Sequence, residues 1–224
     1  MSYKIDWAPI WNNRDLLVDG FLTTIALSGL GLVLALIIGV IVGTASALSS
    51  RVLRSSSAAY VELMRNIPLL VHMYFWYVAL AFLQLPPFLC AVFGLALYSG
   101  AYVAEIIRSG IGAVPHGQRL AALAIGLTPT QAFLFVIYPQ AFRIITPSLA
   151  SISSQLIKDS SLASVITVAE LTYQASAIEG QTFRTFEFYI VISLLYLLLV
   201  SAVSYGLLLV PGAREDVGQR LSDA

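Results

Sequence analysis

The sequence predicts an all-α integral membrane protein, a helical bundle with five transmembrane helices. Three observations carry this. Of the 224 residues, 58% are hydrophobic and 11% are charged, under half of the roughly 25% charged residues of a soluble domain. Mean hydropathy is +0.86. Residues 20–50 and 188–213 contain no charge at all, and each run exceeds the ~20 apolar residues that a helix needs to cross a bilayer.

The same numbers exclude other classes. A 24.2 kDa globule has too much surface to cover with so few charges, which excludes an ordinary soluble enzyme, a disordered tail and a secreted disulfide scaffold. Lys+Arg and Asp+Glu balance at 12 each, so no basic footprint for nucleic acid is expected. The single cysteine, Cys90, allows no intrachain disulfide. His72 and His116 are the two histidines, too few to suggest a metal site, and no cofactor is expected. The chain contains no G-x-x-x-x-G-K-(S/T), HExxH or G-x-S-x-G, so it is not expected to be an enzyme.

Residues 1–19 carry both signs of charge between Lys4 and Asp19 and precede an apolar run too long for a signal peptide. The first span is placed at 21–48. Its Gly39 and Gly43 form a GxxxG, which reads either as a close helix–helix seam or as the ordinary glycine content of spanning helices. The second span, 58–85, carries Glu62 and Arg65 and contains Pro68. Pro86-Pro87 forces a turn, and the third span, 88–107, has Glu105 and Arg108 at its far end. Residues 110–117 read as a connector.

An apolar run over 120–142 is interrupted by Gly126, Pro129 and Pro139. It is therefore assigned to an amphipathic segment, 115–137, lying on the membrane surface. In it a short Ala-rich helix stops at Gly126, which can take the left-handed conformation. A second short helix ends at a proline. The fourth span is 139–157, and its Arg143 must face protein or water. A loop over 170–187 holds Glu170, Glu179 and Glu187. The fifth span is 188–211, and 214–224 is a tail.

Basic residues near span ends orient such a chain. Arg51, Arg54, Arg108, Arg119, Arg143, Arg214 and Arg220 fall on one side, and Lys4, Arg14 and Arg184 on the other. The richer side is expected in the cytoplasm, with a periplasmic N-terminus and a cytoplasmic C-terminus. A charge deep in a bilayer costs at least ~2.5–3.5 kcal/mol on insertion scales. Glu62 with Arg65 and Glu105 with Arg108 stand i,i+3 and are expected as local ion pairs. Proline follows closely after Arg65 and Asn66, and frees a carbonyl there. Tyr98, Ser99 and Tyr102 form a polar stripe at i, i+1, i+4.

The stretch Val114-Pro115-His116-Gly117-Gln118-Arg119-Leu120-Ala121-Ala122-Leu123-Ala124-Ile125-Gly126, closed by Tyr138-Pro139, resembles the "EAA" loop of ABC importer permeases. Tyr60-Val61-Glu62-Leu63-Met64-Arg65-Asn66-Ile67-Pro68-Leu69 is similar to the pattern Y-x-E-x-x-R-(G/N)-x-P-L. Ala101-Tyr102-Val103-Ala104-Glu105-Ile106-Ile107-Arg108 is similar to A-Y-x-x-E-x-x-R, and Lys158-Asp159-Ser160-Ser161-Leu162-Ala163-Ser164 to K-D-(S/T)-S-L-x-S. Together they resemble the polar amino-acid uptake permeases of the histidine/glutamine/glutamate type, over residues 20–210.

The resemblance implies a type I permease architecture in the bacterial inner membrane. It implies a dimer of two permeases, two ATP-binding cassette ATPase subunits inside the cell, and a periplasmic or lipid-anchored solute-binding protein outside. ATP hydrolysis belongs to the ATPases. Gly117, Gln118, Arg119, Leu120, Ala121, Ala122 and Gly126 are then the coupling residues. Leu120 stands where the family usually has Glu, so either Arg119 substitutes or a second, different permease carries the intact loop. The latter favours a heterodimer.

The expected substrate contacts are Arg65, Asn66, Tyr98, Ser99, Tyr102, Lys158, Asp159, Ser160 and Ser161. The serines can cap a helix starting at Leu162, and the broken helix then offers free N–H groups to the α-carboxylate of an amino acid. The alternative is a Lys158–Asp159 pair that only fixes the break. The two cations Arg65 and Lys158 lean towards glutamate or aspartate. A rival reading, an ion-coupled secondary transporter of small polar solutes, predicts internal repeats, and none is seen.

Overall fold

A computed structural model describes residues 4–47 and 50–208. Every regular element among them is helical. In chain order these are α1 (Ala8–Asn12), α2 (Arg14–Ala47), α3 (Arg51–Asn66), α4 (Leu69–Ala79), α5 (Pro87–Ala113), α6 (His116–Ala124), α7 (Pro129–Ala132), α8 (Tyr138–Asp159), α9 (Leu171–Thr182) and α10 (Thr185–Leu208). Short 3-10 segments cover Ala81–Leu83 and Ser160–Ile166, and a π turn covers Phe133–Ile137.

Among the described residues, four helical stretches are long and apolar enough to cross a membrane: Arg14–Ala47, Pro87–Ala113, Pro129–Ile166 and Thr185–Gly206. Where one continuous span was expected over 58–85, the chain forms two helices. Pro68 has no N–H and its ring excludes the carbonyl four residues back, so α3 ends at Asn66 and Pro68 takes an extended φ −58°, ψ 140° before α4. Of the two, α4, with 11 residues, is the apolar helix, interrupted by His72.

Other boundaries also differ. Residues 110–113 are still helical rather than connector, because Gly110 lets Ile145 pack where its side chain would stand. Pro139 does not end a helix. The π turn just before it widens the spacing of carbonyls, so the missing N–H of Pro139 is absorbed and α7 runs on into α8. Residues 171–182, expected as loop, are α9. Residue 48, residues 209–211 of the last span, and the tail with Arg214 and Arg220 lie outside the described residues.

The chain divides into two compact units. The first holds residues 4–33, 67–96 and 154–202. Its core is Leu17, Leu171, Ala175, Ile178, Phe188 and Ile192. Gly20 allows α2 to touch backbone here: a Cβ would lie 3.0 Å from Leu171 Cα. Thr24 Oγ1 donates to the Gly20 carbonyl at 3.0 Å and accepts from the Leu171 N–H at 3.1 Å. The N-terminal segment is tied down: the Asp6 N–H donates to buried Glu187 at 2.9 Å, and Arg184 donates to the Lys4 carbonyl at 2.6 Å.

The second unit holds residues 34–66, 97–153 and 203–208, less the two residues outside the description. Its core is Val103, Ile107 and Ile145, with Leu36, Leu149 and Ile152 against it. The GxxxG of α2 is a seam. A Cβ on Gly39 would run into Val103, and one on Gly43 would stand 2.6 Å from the Ala104 carbonyl. Tyr60 donates its hydroxyl to the Leu97 carbonyl at 2.6 Å, fastening α3 to α5.

Candidate functional site

In the second unit, α3 and α5 line an open cavity of about 760 Å³ holding Arg54, Glu62, Arg65, Glu105 and Arg108. Arg108 grips Glu105 through two bonds, 2.9 and 2.5 Å, as the i,i+3 spacing allows. Arg108 is half exposed, so this pair contributes at most about 1 kcal/mol. The expected Glu62–Arg65 pair does not form; among the described residues Glu62 has no ion pair. Arg65 instead lies over Tyr102, 4.9 Å from the ring centroid. The ring face attracts a cation, and exposed Glu62 remains solvated.

Tyr102 is held in turn by Tyr98, with hydroxyls 3.1 Å and ring centroids 5.1 Å apart. Ser99 is buried, and its hydroxyl finds no partner among the described residues. Asn66 is exposed at the last residue of α3. Arg65, Asn66, Tyr98, Ser99 and Tyr102 thus share the second unit.

Lys158, Asp159, Ser160 and Ser161 belong to the first unit. The expected helix break with serine caps is not found at Ser160. The helix tightens from α to 3-10 without interruption, and the serine hydroxyls turn back on the preceding turn. Ser160 donates to the Ile157 carbonyl at 2.7 Å and Ser161 to the Lys158 carbonyl at 2.8 Å. Such back-bonding competes with capping. The chain breaks later, at Thr167, whose φ is +64°. Asp159 accepts from Gln155 at 2.8 Å, and no ion pair joins it to Lys158.

Lys158 and Ser161 line a cavity of about 610 Å³ with Thr172, Tyr189, Ser193 and Tyr196. The last four were missed in the sequence. Tyr189, Ser193 and Tyr196 stand i, i+4, i+7 in the charge-free run 188–213, a polar stripe that periodicity alone could have revealed. Behind the wall is Glu170, fully buried and N-cap of α9. Its carboxylate accepts from the N–H groups of Thr172 (2.9 Å) and Tyr173 (2.7 Å) and from the Tyr196 hydroxyl (2.7 Å). Burial pushes this carboxyl above its ordinary pKa, and the hydrogen bonds from Thr172, Tyr173 and Tyr196, the Thr172 side chain among them, oppose that.

In the 115–137 segment, α6 exposes Gly117, Gln118, Arg119, Leu120 and Ala121. Ala122 is an exception. It is 3% exposed, so it seats α6 on its own unit and cannot be a direct contact for a partner. Gly126 has φ +91°. The Leu127 N–H bonds the Ala122 carbonyl at 3.2 Å and the Gly126 N–H that of Leu123 at 3.0 Å, the paired bonds of a Schellman stop. Two residues on, Thr128 and Gln131 form a reciprocal capping box that starts α7. Among the described residues no cluster of three His, Cys, Asp or Glu could hold a metal ion.

Comparison with known proteins shows the family and the fold. The family described as "Binding-protein-dependent transport system inner membrane component" matches residues 21–214. The chain is 36% identical over 199 residues to the probable glutamine ABC transporter permease protein GlnM of Bacillus subtilis, covering 88% of this chain and 92% of that one. It is 36% identical over 206 residues to the glutamine transport system permease protein GlnP of Escherichia coli, with 90% and 94% covered. It is 34% identical over 221 residues to the Escherichia coli glutamate/aspartate import permease protein GltJ, with 88% and 90% covered. A crystal structure of an amino acid ABC transporter with histidines superposes with a TM-score of 0.84 at 34% identity, covering 92% of this chain and 97% of that one. The MetNI methionine ABC transporter, at 18% identity and a TM-score of 0.77 over 88% and 94% of the two chains, shares the fold. The chain belongs to the family of binding-protein-dependent transport system inner membrane components.

Proposed function

We propose that this chain is the membrane permease subunit of a bacterial ATP-binding cassette importer for polar amino acids of the glutamine and glutamate/aspartate type. The observation that carries this is the agreement of three permeases of 34–36% identity, named for those solutes, over at least 88% of the chain. The cavities support it: each unit lines one with a cation, Arg65 or Lys158, without an ion pair among the described residues. Those cations favour a solute that always carries a carboxylate and lean the preference towards glutamate or aspartate.

The chain sits in the inner membrane with its N-terminus periplasmic and its C-terminus cytoplasmic. A solute-binding protein delivers from outside. Two ATPase subunits hydrolyse ATP inside and press on the exposed face of α6, Gly117 to Ala121. Rocking of the spans then alternates access to the solute. A second, different permease completes a heterodimer and supplies the acidic coupling contact that Leu120 lacks.

The test is reconstitution of the complex purified through this subunit. ATP-dependent uptake of L-glutamine, L-glutamate or L-aspartate, delivered by the cognate binding protein, is expected. Uptake that runs on an ion gradient without ATP overturns the reading.

A further inference from the structure

α2 and α10, two of the stretches long and apolar enough to cross a membrane, begin at Arg14 and Thr185. Their N-terminal ends are pinned together within the first unit. The Asp6 N–H donates to Glu187 at 2.9 Å, and Arg184 donates to the Lys4 carbonyl at 2.6 Å. Arg184 also stands 3.8 Å from both Asp6 and Glu187. Glu187 is fully buried. α1 follows this clasp and leads into α2, so both its ends are held at the level where the two long helices begin.

Five residues are too few for a helix to hold itself. One side of α1 is packed: Ile10 lies against the core of Leu17, Leu171 and Phe188. The other side is open. Trp7 and Trp11 stand i,i+4 on one face and are 49% and 70% exposed. Phe183 and Phe186, flanking the clasp residues Arg184 and Glu187, are exposed as well. Phe186 continues along the outside of α10 into a groove with Tyr189, Ile190 and Leu194. The exposed aromatics are therefore continuous with the apolar outer face of a spanning helix.

An indole has a large apolar body and one N–H, and settles between headgroups and acyl chains. The neighbouring charges of Asp6, Arg14 and Asp15 exclude a deeper position. Between residues 4 and 15, Lys4 and Arg14 balance Asp6 and Asp15, so no headgroup charge is selected. We propose that α1 is a membrane-interface anchor: Trp7 and Trp11 seat it in the headgroup layer, and the Arg184–Glu187 clasp fastens it to α10. On the proposed orientation this is the outer leaflet. The anchor concerns how the chain sits in its membrane and does not depend on the solute carried.

The intact complex in bilayers of phosphatidylethanolamine and phosphatidylglycerol tests this, with p-benzoylphenylalanine in place of Trp7 or of Trp11. Illumination is expected to join each position to phospholipid, read as mass added to its peptide, with a yield that does not change with the share of phosphatidylglycerol. Joining to a partner subunit or to the solute-binding protein instead, or no adduct, overturns the inference. A second measurement keeps both tryptophans, so it decides the matter even if replacing one disturbs assembly. In the full chain, Trp76→Phe leaves Trp7 and Trp11 as the only tryptophans, and lipids brominated at graded depths report their level. Quenching is expected to be strongest for a depth of about 5–10 Å into the headgroup/acyl boundary. Strongest quenching from the bilayer midplane, or none from any lipid, overturns the anchor. Arg184→Ala opens the clasp and is expected to weaken that quenching in a chain that still inserts. Unchanged quenching shows that the clasp does not hold α1 and overturns that half of the inference.

Discussion

Arg65 lies over the face of Tyr102, its guanidinium carbon 4.9 Å from the ring centroid, while the carboxylate one turn earlier on its own helix, Glu62, goes unused. On the proposed reading, this cation, outside an ion pair and held by the ring, meets an anionic solute. Arg65→Ala is expected to lower uptake by about tenfold, the loss of one charged contact, without preventing assembly. Arg65→Lys should retain part of it, because the charge survives and the planar stacking does not. Tyr102→Leu should resemble Arg65→Ala, and the double variant should be no worse than either. Normal uptake by Arg65→Ala would show the cation to be idle.

The same relationship shows where sequence reading stopped. Spacing put Glu62 and Arg65 on one helix face, and spacing alone made them partners. The competing ring comes from Tyr102, on another helix and 37 residues on, and no local pattern announces it. Glu105–Arg108 was legible because the i,i+3 hydrogen bonds of the pair are local. The charge-free helices and the Gly126 stop were legible for the same reason: composition and backbone conformation are local. Glu170 was not. It reads as one more acid of a loop; its capping of α9 is local, and tertiary burial against Tyr196 makes it an anchor as well.

The seam at Gly39 and Gly43 predicts a graded stability series. Alanine at 39 forces Val103 to move, and alanine at 43 meets the Ala104 backbone. Each should destabilise the second unit by about 1–3 kcal/mol, the usual cost of overpacking. A methyl added at Gly29 would meet nothing within 4 Å, so Gly29→Ala should be neutral or slightly stabilising. Thermal melting of the purified chain in detergent checks the order. Equal melting of Gly29→Ala and Gly39→Ala would mean the helices do not approach this closely.

Topology is tested by single-cysteine labelling. Cys90 is 1% exposed, so it should stay silent to impermeant reagents even where it is not replaced. A cysteine at Lys4 should react from the periplasmic side, and one at Arg119, exposed on α6, only after the membrane is opened. Residue 4 labelled solely from inside reverses the proposed orientation.

Coupling turns on Gly126. Its φ of +91° lies where side chains are strained, yet no atom lies within 4 Å of where a Cβ would stand. Any effect of Gly126→Val is therefore backbone strain rather than a clash, about 1–2 kcal/mol. That is enough to swing the Schellman stop and re-aim Gln118 to Ala121, and too little to unfold the chain. The variant should insert and co-purify with its partners, hydrolyse ATP, and transport poorly, because the stroke no longer reaches α8 through the capping box at Thr128. Gly117→Ala is the control: Gly117 has open space and no positive φ, so it should transport normally. Ala122→Arg, aimed at a residue buried in its own unit, should unseat α6 and lower stability as well as transport. Uptake beside ATPase activity in proteoliposomes separates the three. If Gly126→Val transports like wild type, the 115–137 segment carries no stroke, and the drive must enter the chain elsewhere.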